Sequence, residues 1–326
     1  MTKVLVTVDT ELSALLHQRG LTPRQNFASS ILGQCKAGEF GIGWQMDRLE
    51  AAGLKGVFFV DPMPALVYDE AIVANIVAPI IARGHEVQLH IHTEWLEWAK
   101  ASPVGTRLGG NLADFSLEDQ VTLLTCAADL IERAGAPRPT AFRAGNFGAN
   151  DDSLRALAKI GLRWDSSVNA AYLNQGCKIG CDAGQIDPIA RHGVIEVPVS
   201  GLFDRPGRMR PAQICALSTR EMRAALSHAA SQGQDPFVIV THSFEMLSRD
   251  RSRPNGSVMA RFVAMCHTIA EHPALESAGF DDLDVALAEP HVQTTSRLEP
   301  SLMRTAARMA EQALATWRYE RQLRPI

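Results

Sequence analysis

Short apolar runs and helix-period stretches alternate along most of the chain, the order expected of a parallel sheet wrapped by helices. Val4–Val8 is apolar except for Thr7 and reads as a first strand. A helix near Trp44–Ala52 follows, then a second strand at Gly56–Val60. Asp69–Ala82 has helical composition, and Gly84 stops it before a third strand at Glu86–His92. Ser116 is suited to an N-cap and Asp119 supplies a carboxylate three residues on, so a long amphipathic helix is predicted from there to about Ala134. A strand at Thr140–Arg143, a helix at Asp152–Ile160 and a short strand into Trp164 and Asp165 come next. Residues 169–192 show no period and read as a long loop. Val194–Val199 is a strand, Ser218–Gln232 a helix, Phe237–His242 a strand and Val258–His272 a helix. From about Pro300 to Arg321 the composition is helical and charged, which predicts a helix packed outside the sheet or on a partner. The pattern amounts to nearly seven strand–helix units without repeats.

That count suits a single α/β barrel with additions, and the 326 residues are enough for one. A hydrophobic share of 46% supplies a large core, and 21% charged residues is a globular balance. The net charge of −4 and the lack of a dense Lys/Arg tract argue against a nucleic-acid partner. Asp9 interrupts the first apolar run too early for a signal peptide. The longest apolar stretch, Ala71 to Ala82, falls short of the ~20 helical residues that span a bilayer. A soluble, cytoplasmic protein is therefore expected. The six cysteines are scattered, with only Cys177 and Cys181 close together, and reduced thiols are expected for all.

Candidate chemistry gathers at the predicted strand ends, where a parallel barrel builds its site. His90 and His92 leave their strand on one face because side chains repeat every two residues, and Glu94 follows them. Two imidazoles with a carboxylate suit zinc and its neighbours. Asp9 and Glu11 share a face at the end of the first strand, so one could hold a metal while the other takes a proton. Arg143 and Asn146 close the fourth strand, Trp164 and Asp165 the next, and His242 the strongly apolar Phe237–Thr241 run. A buried Arg143 requires a carboxylate, and either Asp9 or Asp165 would serve. Together these groups suit metal-assisted hydrolysis, in which a metal lowers the pKa of water from about 15.7 towards ~7. A carboxylate would accept the water proton, and a histidine would protonate the leaving atom.

These segments, in this order, resemble the five motifs of the polysaccharide deacetylases of carbohydrate esterase family 4, over about residues 3 to 285. Thr7-Val8-Asp9-Thr10-Glu11 stands where that family has Thr-Phe-Asp-Asp-Gly. Gly84-His85-Glu86 through Glu94 is similar to its Gly-His-Glu…His-Thr-x-x-His. Phe142-Arg143-Ala144-Gly145-Asn146-Phe147-Gly148 sits at its Arg-Pro-Pro-Tyr-Gly motif, Gly161–Ser167 at its Gly-Tyr-x-x-Asp-Ser-Ser run, and Val240-Thr241-His242 at its late Leu-x-His. The resemblance implies a distorted (β/α)7 barrel over residues 1–290 with a helical extension at 291–326. It also implies Asp9 as base, His242 as acid and Arg143 orienting Asp9. His90 would hold a divalent metal, zinc foremost with cobalt or nickel possible, together with Glu11, His92 or Glu94. Trp95, Asn146, Trp164 and Asp165 would line the sugar site. Two positions depart from the family: Thr10 replaces its second Asp, and Glu94 its last histidine.

The expected activity is removal of an acetyl group from an N-acetylated sugar or glycan precursor made inside the cell for envelope polysaccharide. Two other readings use the same barrel. One is a hydrolase of a cyclic amide, with or without metal. The other is a non-catalytic binding or scaffold protein of an envelope-assembly complex that docks through the C-terminal helix. That helix is also where a homo-oligomer would form.

Overall fold

A computed structural model describes residues 1–285 and 295–319. The first strand, β1 (Thr2–Thr10), is buried over nearly its whole length because three other strands flank it. A parallel strand covered on both faces reads as a continuous apolar run, as Val4–Val8 does. After β1 come α1 (Ala14–Gln18), α2 (Pro23–Ser30) and a small hairpin of β2 (Gln34–Cys35) and β3 (Gly38–Glu39). The sequence reading passed over all four. α2 carries a full start signal, with Thr22 as N-cap, Pro23 in the first turn and Gln25 closing the capping box. Its polar composition hides the period.

The expected alternation then runs as α3 (Ile42–Ala51), β4 (Gly56–Val60), α4 (Ala71–Ala82), β5 (Glu86–Ile91), α5 (Leu117–Arg133), β6 (Ala141–Ala144), α6 (Asp151–Lys159) and β7 (Trp164–Asp165). Gly84 ends α4 as predicted: its φ of 74° is a left-handed conformation, and its N–H donates to the Ile81 carbonyl. Ser116 caps α5, its Oγ accepting from the Asp119 N–H. The stretch read as a loop contains β8 (Ile189–Arg191), which pairs antiparallel with β9 (Val194–Glu196). β9 stops at Glu196 rather than Val199, because the Ser200 N–H turns across to the Val238 carbonyl. A second unpredicted hairpin, β10 (Gly201–Arg205) with β11 (Arg208–Pro211), precedes α7 (Thr219–Gln232), β12 (Phe237–His242), α8 (Gly256–Glu271) and β13 (Leu275–Ser277).

The main sheet runs β12-β1-β4-β5-β6-β7-β9-β8, with β13 alongside the start of β1, and every pairing except β8–β9 is parallel. It curls until the segment after β9 meets β12 through single hydrogen bonds such as Val240 N–H to Ala212 O. This is a distorted (β/α) barrel. Its wall is lined by one core around Phe58, Leu89 and Phe142 and another around Val6, Ile239 and Phe262.

α9 (Leu302–Tyr319) lies outside the barrel and is held by its charged face. Buried Arg308 reaches Asp204 at 3.1 Å and Glu221 at 3.0 Å, and Glu311 meets Arg261 at 2.6 Å. The predicted domain boundary at 290/291 and the predicted helix end at Arg321 lie outside the described residues. No described helix is long and apolar enough to cross a membrane, and all six cysteines are free.

Candidate active site

Strand register assembles the site. β1 and β12 align so that Asp9 stands beside His242, and β5 and β6 align so that His90 stands beside Arg143. Asp9, Glu11, His90, His92, Asn146 and His242 all border one cavity of about 220 Å³ at the carboxyl ends of the strands. Ala144, Phe147, Tyr172 and Gln213 complete its wall.

Arg143 is fully buried and pairs with Asp9 rather than Asp165. Its Nη1 donates to Asp9 Oδ1 at 2.7 Å and to Thr7 Oγ1 at 2.7 Å, its Nε to the Ser166 carbonyl at 3.1 Å, and its Nη2 to Ser166 Oγ at 3.1 Å. The guanidinium also lies 4.4 Å over the Phe59 ring. Every direction in which the group could swing is occupied, so one carboxylate oxygen of Asp9 is fixed. The other, Oδ2, faces His242 Nε2 at 4.0 Å.

His242 has a partner that sequence reasoning missed. Glu245, one turn further on, approaches its Nδ1 at 3.5 Å. Glu245 is itself held by Thr241 Oγ1 at 2.7 Å and Gln213 Nε2 at 3.1 Å. Burial disfavours the imidazolium, but Glu245 above all, then Asp9 and Glu11, outweigh it and raise the pKa to about 9. At neutral pH the ring therefore carries a proton.

Beside this pair, one ligand atom each from Glu11, His90 and His92 lies within 4.8 Å of the others. His92 Nε2 is 2.5 Å from Glu11 Oε2, and His90 Nε2 is 3.3 Å from it. Both rings are pinned from behind. His90 Nδ1–H donates to the Arg143 carbonyl at 2.6 Å, and His92 Nδ1–H donates to Glu94 Oε2 at 2.9 Å. Each Nε2 is thus turned towards the shared space, the arrangement that ligating histidines need. Two imidazoles and a carboxylate with fixed outer partners fit a divalent metal. Burial works against a charged Glu11, yet His92 and His90 hold its pKa well below the usual carboxylate range. Glu94 does not enter the triad. It binds His92, and its Oε1 accepts from Asn146 at 3.2 Å, so it orients a donor in place of the ligand position expected for it.

Asp61, just past β4, is a second group that the strand-end argument should have found. It is fully buried; Oδ1 accepts from the Met63 N–H at 3.0 Å, and Oδ2 has no partner among the described residues. Burial raises its pKa to about 7, against the opposing pull of His92 and His90.

Three predicted sugar contacts lie elsewhere. Trp95 is fully buried, in edge contact with Tyr68 and Trp98. Trp164 is 2% exposed and packs on Phe280. Neither offers a face to the cavity, since apolar burial claims both rings. Asp165 is also fully buried, accepts from Ser167 Oγ at 2.7 Å and neighbours Glu196 in register. Burial raises both carboxyls of that pair. Asn146 does border the cavity, in a left-handed conformation (φ 55°) shared with Phe147. The aromatic pair at the rim is Phe147 stacked on half-exposed Tyr172, with ring centroids 5.3 Å apart. His85 and Glu86, although in the second motif, sit at the opposite end of β5 and bind the Gly56 and Phe280 amides.

No family model matches the sequence, and no curated protein matches it. Among solved structures, the chain is similar to a Mycobacterium smegmatis protein assigned as a polysaccharide deacetylase, at 17% identity and a TM-score of 0.55, over 89% of this chain and 95% of that one. It is also similar to a 4-alpha-glucanotransferase from Thermococcus litoralis, at 10% identity and a TM-score of 0.50, over 86% of this chain and 40% of that one. A family 4 carbohydrate esterase from Streptomyces lividans matches at 13% identity and a TM-score of 0.43, over 92% and 98% of the two chains. The fold is thus the distorted (β/α) barrel of the polysaccharide deacetylase type.

Proposed function

We propose that the chain is a metal-dependent hydrolase that removes an acetyl group from an N-acetylated sugar or glycan precursor. The observation that carries this reading is the meeting of two sets of groups in one cavity: Asp9 fixed by Arg143 beside a protonated His242, and the convergent Glu11, His90 and His92. A base and an acid within reach of one another, next to a cation site, are the parts that amide hydrolysis needs.

A divalent metal held by Glu11, His90 and His92 would polarise the acetyl carbonyl and make water acidic enough to lose a proton near neutral pH. Asp9 receives that proton on Oδ2, the oxygen left free by Arg143. His242 Nε2 donates a proton to the departing amine nitrogen, and Glu245 at Nδ1 supports the charged ring before donation. Arg143 acts through Asp9, as a positioning residue. Tyr172 and Phe147 offer an aromatic face for a sugar ring, taking the place expected for the two tryptophans.

The finer assignments are zinc as the metal and a cytoplasmic setting, with six unpaired thiols supporting a reducing compartment. We treat the barrel as the catalytic unit and α9 as an added element through which a second copy docks. Leu302, Met303, Met309, Leu314 and Trp317 are each more than half exposed on α9.

The test is metal content of the purified protein by elemental analysis, wild type beside His90→Ala, followed by acetate release from a panel of N-acetylated sugars. About one metal per chain in the wild type, absent from the variant, and chelator-sensitive acetate release are expected. A protein that stays metal-free after zinc is added would refute the reading. Hydrolysis of a cyclic amide that survives chelation would favour the metal-free alternative.

A further inference from the structure

A second cavity, larger than the one just described, lies beside it. It measures about 480 Å³ and lies beyond Phe244 and Glu245, walled by the loop after β12, the start of α8 and the inner face of α9. Three arginines border it, and the hydrolytic reaction uses none of them. Arg249 is exposed and has no ion pair among the described residues. Arg251 is held in the left-handed region at φ 58°, a conformation that a non-glycine residue keeps only where its surroundings enforce it. Its guanidinium lies 4.2 Å over Phe244 and donates to Ser30 Oγ at 2.8 Å and Ser29 Oγ at 3.3 Å, with no carboxylate partner among the described residues. Arg261 is 5% exposed; its Nε binds Glu311, its Nη1 the Cys215 carbonyl at 3.3 Å, and its buried Nη2 has no acceptor among the described residues.

Glu245 is the single carboxylate among the described lining residues, and Thr241, Gln213 and His242 already engage it. The cavity therefore holds three guanidiniums with unused donor capacity and, among the described residues, no free counter-charge. Crowding two further guanidiniums beside the buried Arg261 is costly unless an anion joins them. Several arginine forks on one site suit a phosphate better than a carboxylate, which a single fork satisfies. The cavity also adjoins the active site. The Phe244 ring lies 5.5 Å from that of His242, and Glu245, which lines the arginine cavity, approaches His242 Nδ1 at 3.5 Å on the wall of the other. Burial lowers the Arg251 pKa and the Glu11 carboxylate acts against it, which places Arg251 within the field of the proposed metal set.

We propose that Arg249, Arg251 and Arg261 bind the phosphate of a phosphorylated N-acetyl sugar whose acetamido group lies between Asp9 and His242. The inference rests on the deacetylase reading for the sugar and on the cavity for the phosphate, and the two separate experimentally. Titration calorimetry with inorganic phosphate on wild type, Arg249→Ala, Arg251→Ala and His90→Ala reads the cavity alone. Binding should weaken about tenfold or more in each arginine variant and persist in His90→Ala, which excludes phosphate held by a metal. N-acetylglucosamine 1-phosphate should bind wild type more tightly than N-acetylglucosamine, lose that advantage in Arg251→Ala, and be displaced by inorganic phosphate. No phosphate binding, binding that ignores both arginines, or equal affinity for the two sugars would overturn the proposal. So would phosphate binding that fails to compete with the phosphorylated sugar, because the cavity would then serve a free anion. Acetate released equally from both sugars without phosphate binding would remove the cavity's function and leave the deacetylase. Phosphate binding without acetate release from any sugar would do the reverse.

Discussion

Glu245→Gln isolates the acid. The variant keeps the volume of the side chain and removes only its charge from 3.5 Å beside His242 Nδ1. A pKa lifted from 6.5 to about 9 means that the pocket favours the imidazolium by ~3 kcal/mol, burial already counted against it. Glu245 comes first among the groups that raise it, ahead of Asp9 and Glu11, and metal bound at Glu11 would screen the last of these. Removing Glu245 should therefore lower the pKa by about one unit or more, ~1.4 kcal/mol. His242 must be protonated to act as acid, so activity is present below its pKa and fails as pH rises through it. The alkaline limb of kcat/KM, near pH 9 in the wild type, should retreat towards neutrality in Glu245→Gln, and the acid limb should stay. The assay is a pH–rate profile from about pH 6 to about pH 10, with thermal unfolding alongside. A lower rate with an unmoved alkaline limb would show that Glu245 supports the loop rather than the proton.

Other substitutions probe the remaining contacts. Glu94→Gln should weaken metal affinity by ~10–100-fold, read by competition with a chelator, because it loosens His92 without removing a ligand; unchanged affinity would remove Glu94 from the site. Gly145→Ala would put a Cβ 2.6 Å from the Ile91 carbonyl and 2.9 Å from the His92 ring, so metal content should fall in a folded protein. Arg143→Met leaves Asp9 buried without its counter-charge and should cost ~3–5 kcal/mol in urea unfolding as well as activity. A small change in stability there would mean that Asp9 finds another partner.

Much of this arrangement was legible because strand ends in a parallel barrel share one rim. Asp9, His90, Arg143 and His242 each stand at the carboxyl end of a strand, and register brings them together. The same rule applied to Val60, the end of the second predicted strand, points to Asp61 as the next polar residue. Glu245, by contrast, was hidden: it lies in a turn after the strand, and no period marks its approach to His242. The tryptophans misled because an aromatic near a strand end carries the same letter whether it faces a ligand or the core. Trp95 sits in a short helical turn, Thr93–Trp98, that rolls it inward against Tyr68, and sequence spacing does not encode that roll.

The two departures from the resembling motif gain a common explanation from the geometry. Thr10 lies where that motif carries a metal-binding Asp, but its hydroxyl donates to the Val8 carbonyl at 3.0 Å within the strand and reaches no histidine. Glu11, one residue later, has a side chain one methylene longer than Asp, and it meets both His90 and His92. On the other side, His92 stands where the alternation of β5 still governs direction, two residues after His90, with ring centroids 5.0 Å apart. Glu94, at the position of the motif's last histidine, falls in a turn beyond the strand and can only reach back to His92. A carboxylate moved outward along β1 and a histidine moved inward along β5 arrive at one point, with the displaced position turned into a support. Loss of one motif residue by itself would argue for a dead site. Two shifts that converge on the same few ångströms, each histidine backed by its own acceptor, argue for a rebuilt one.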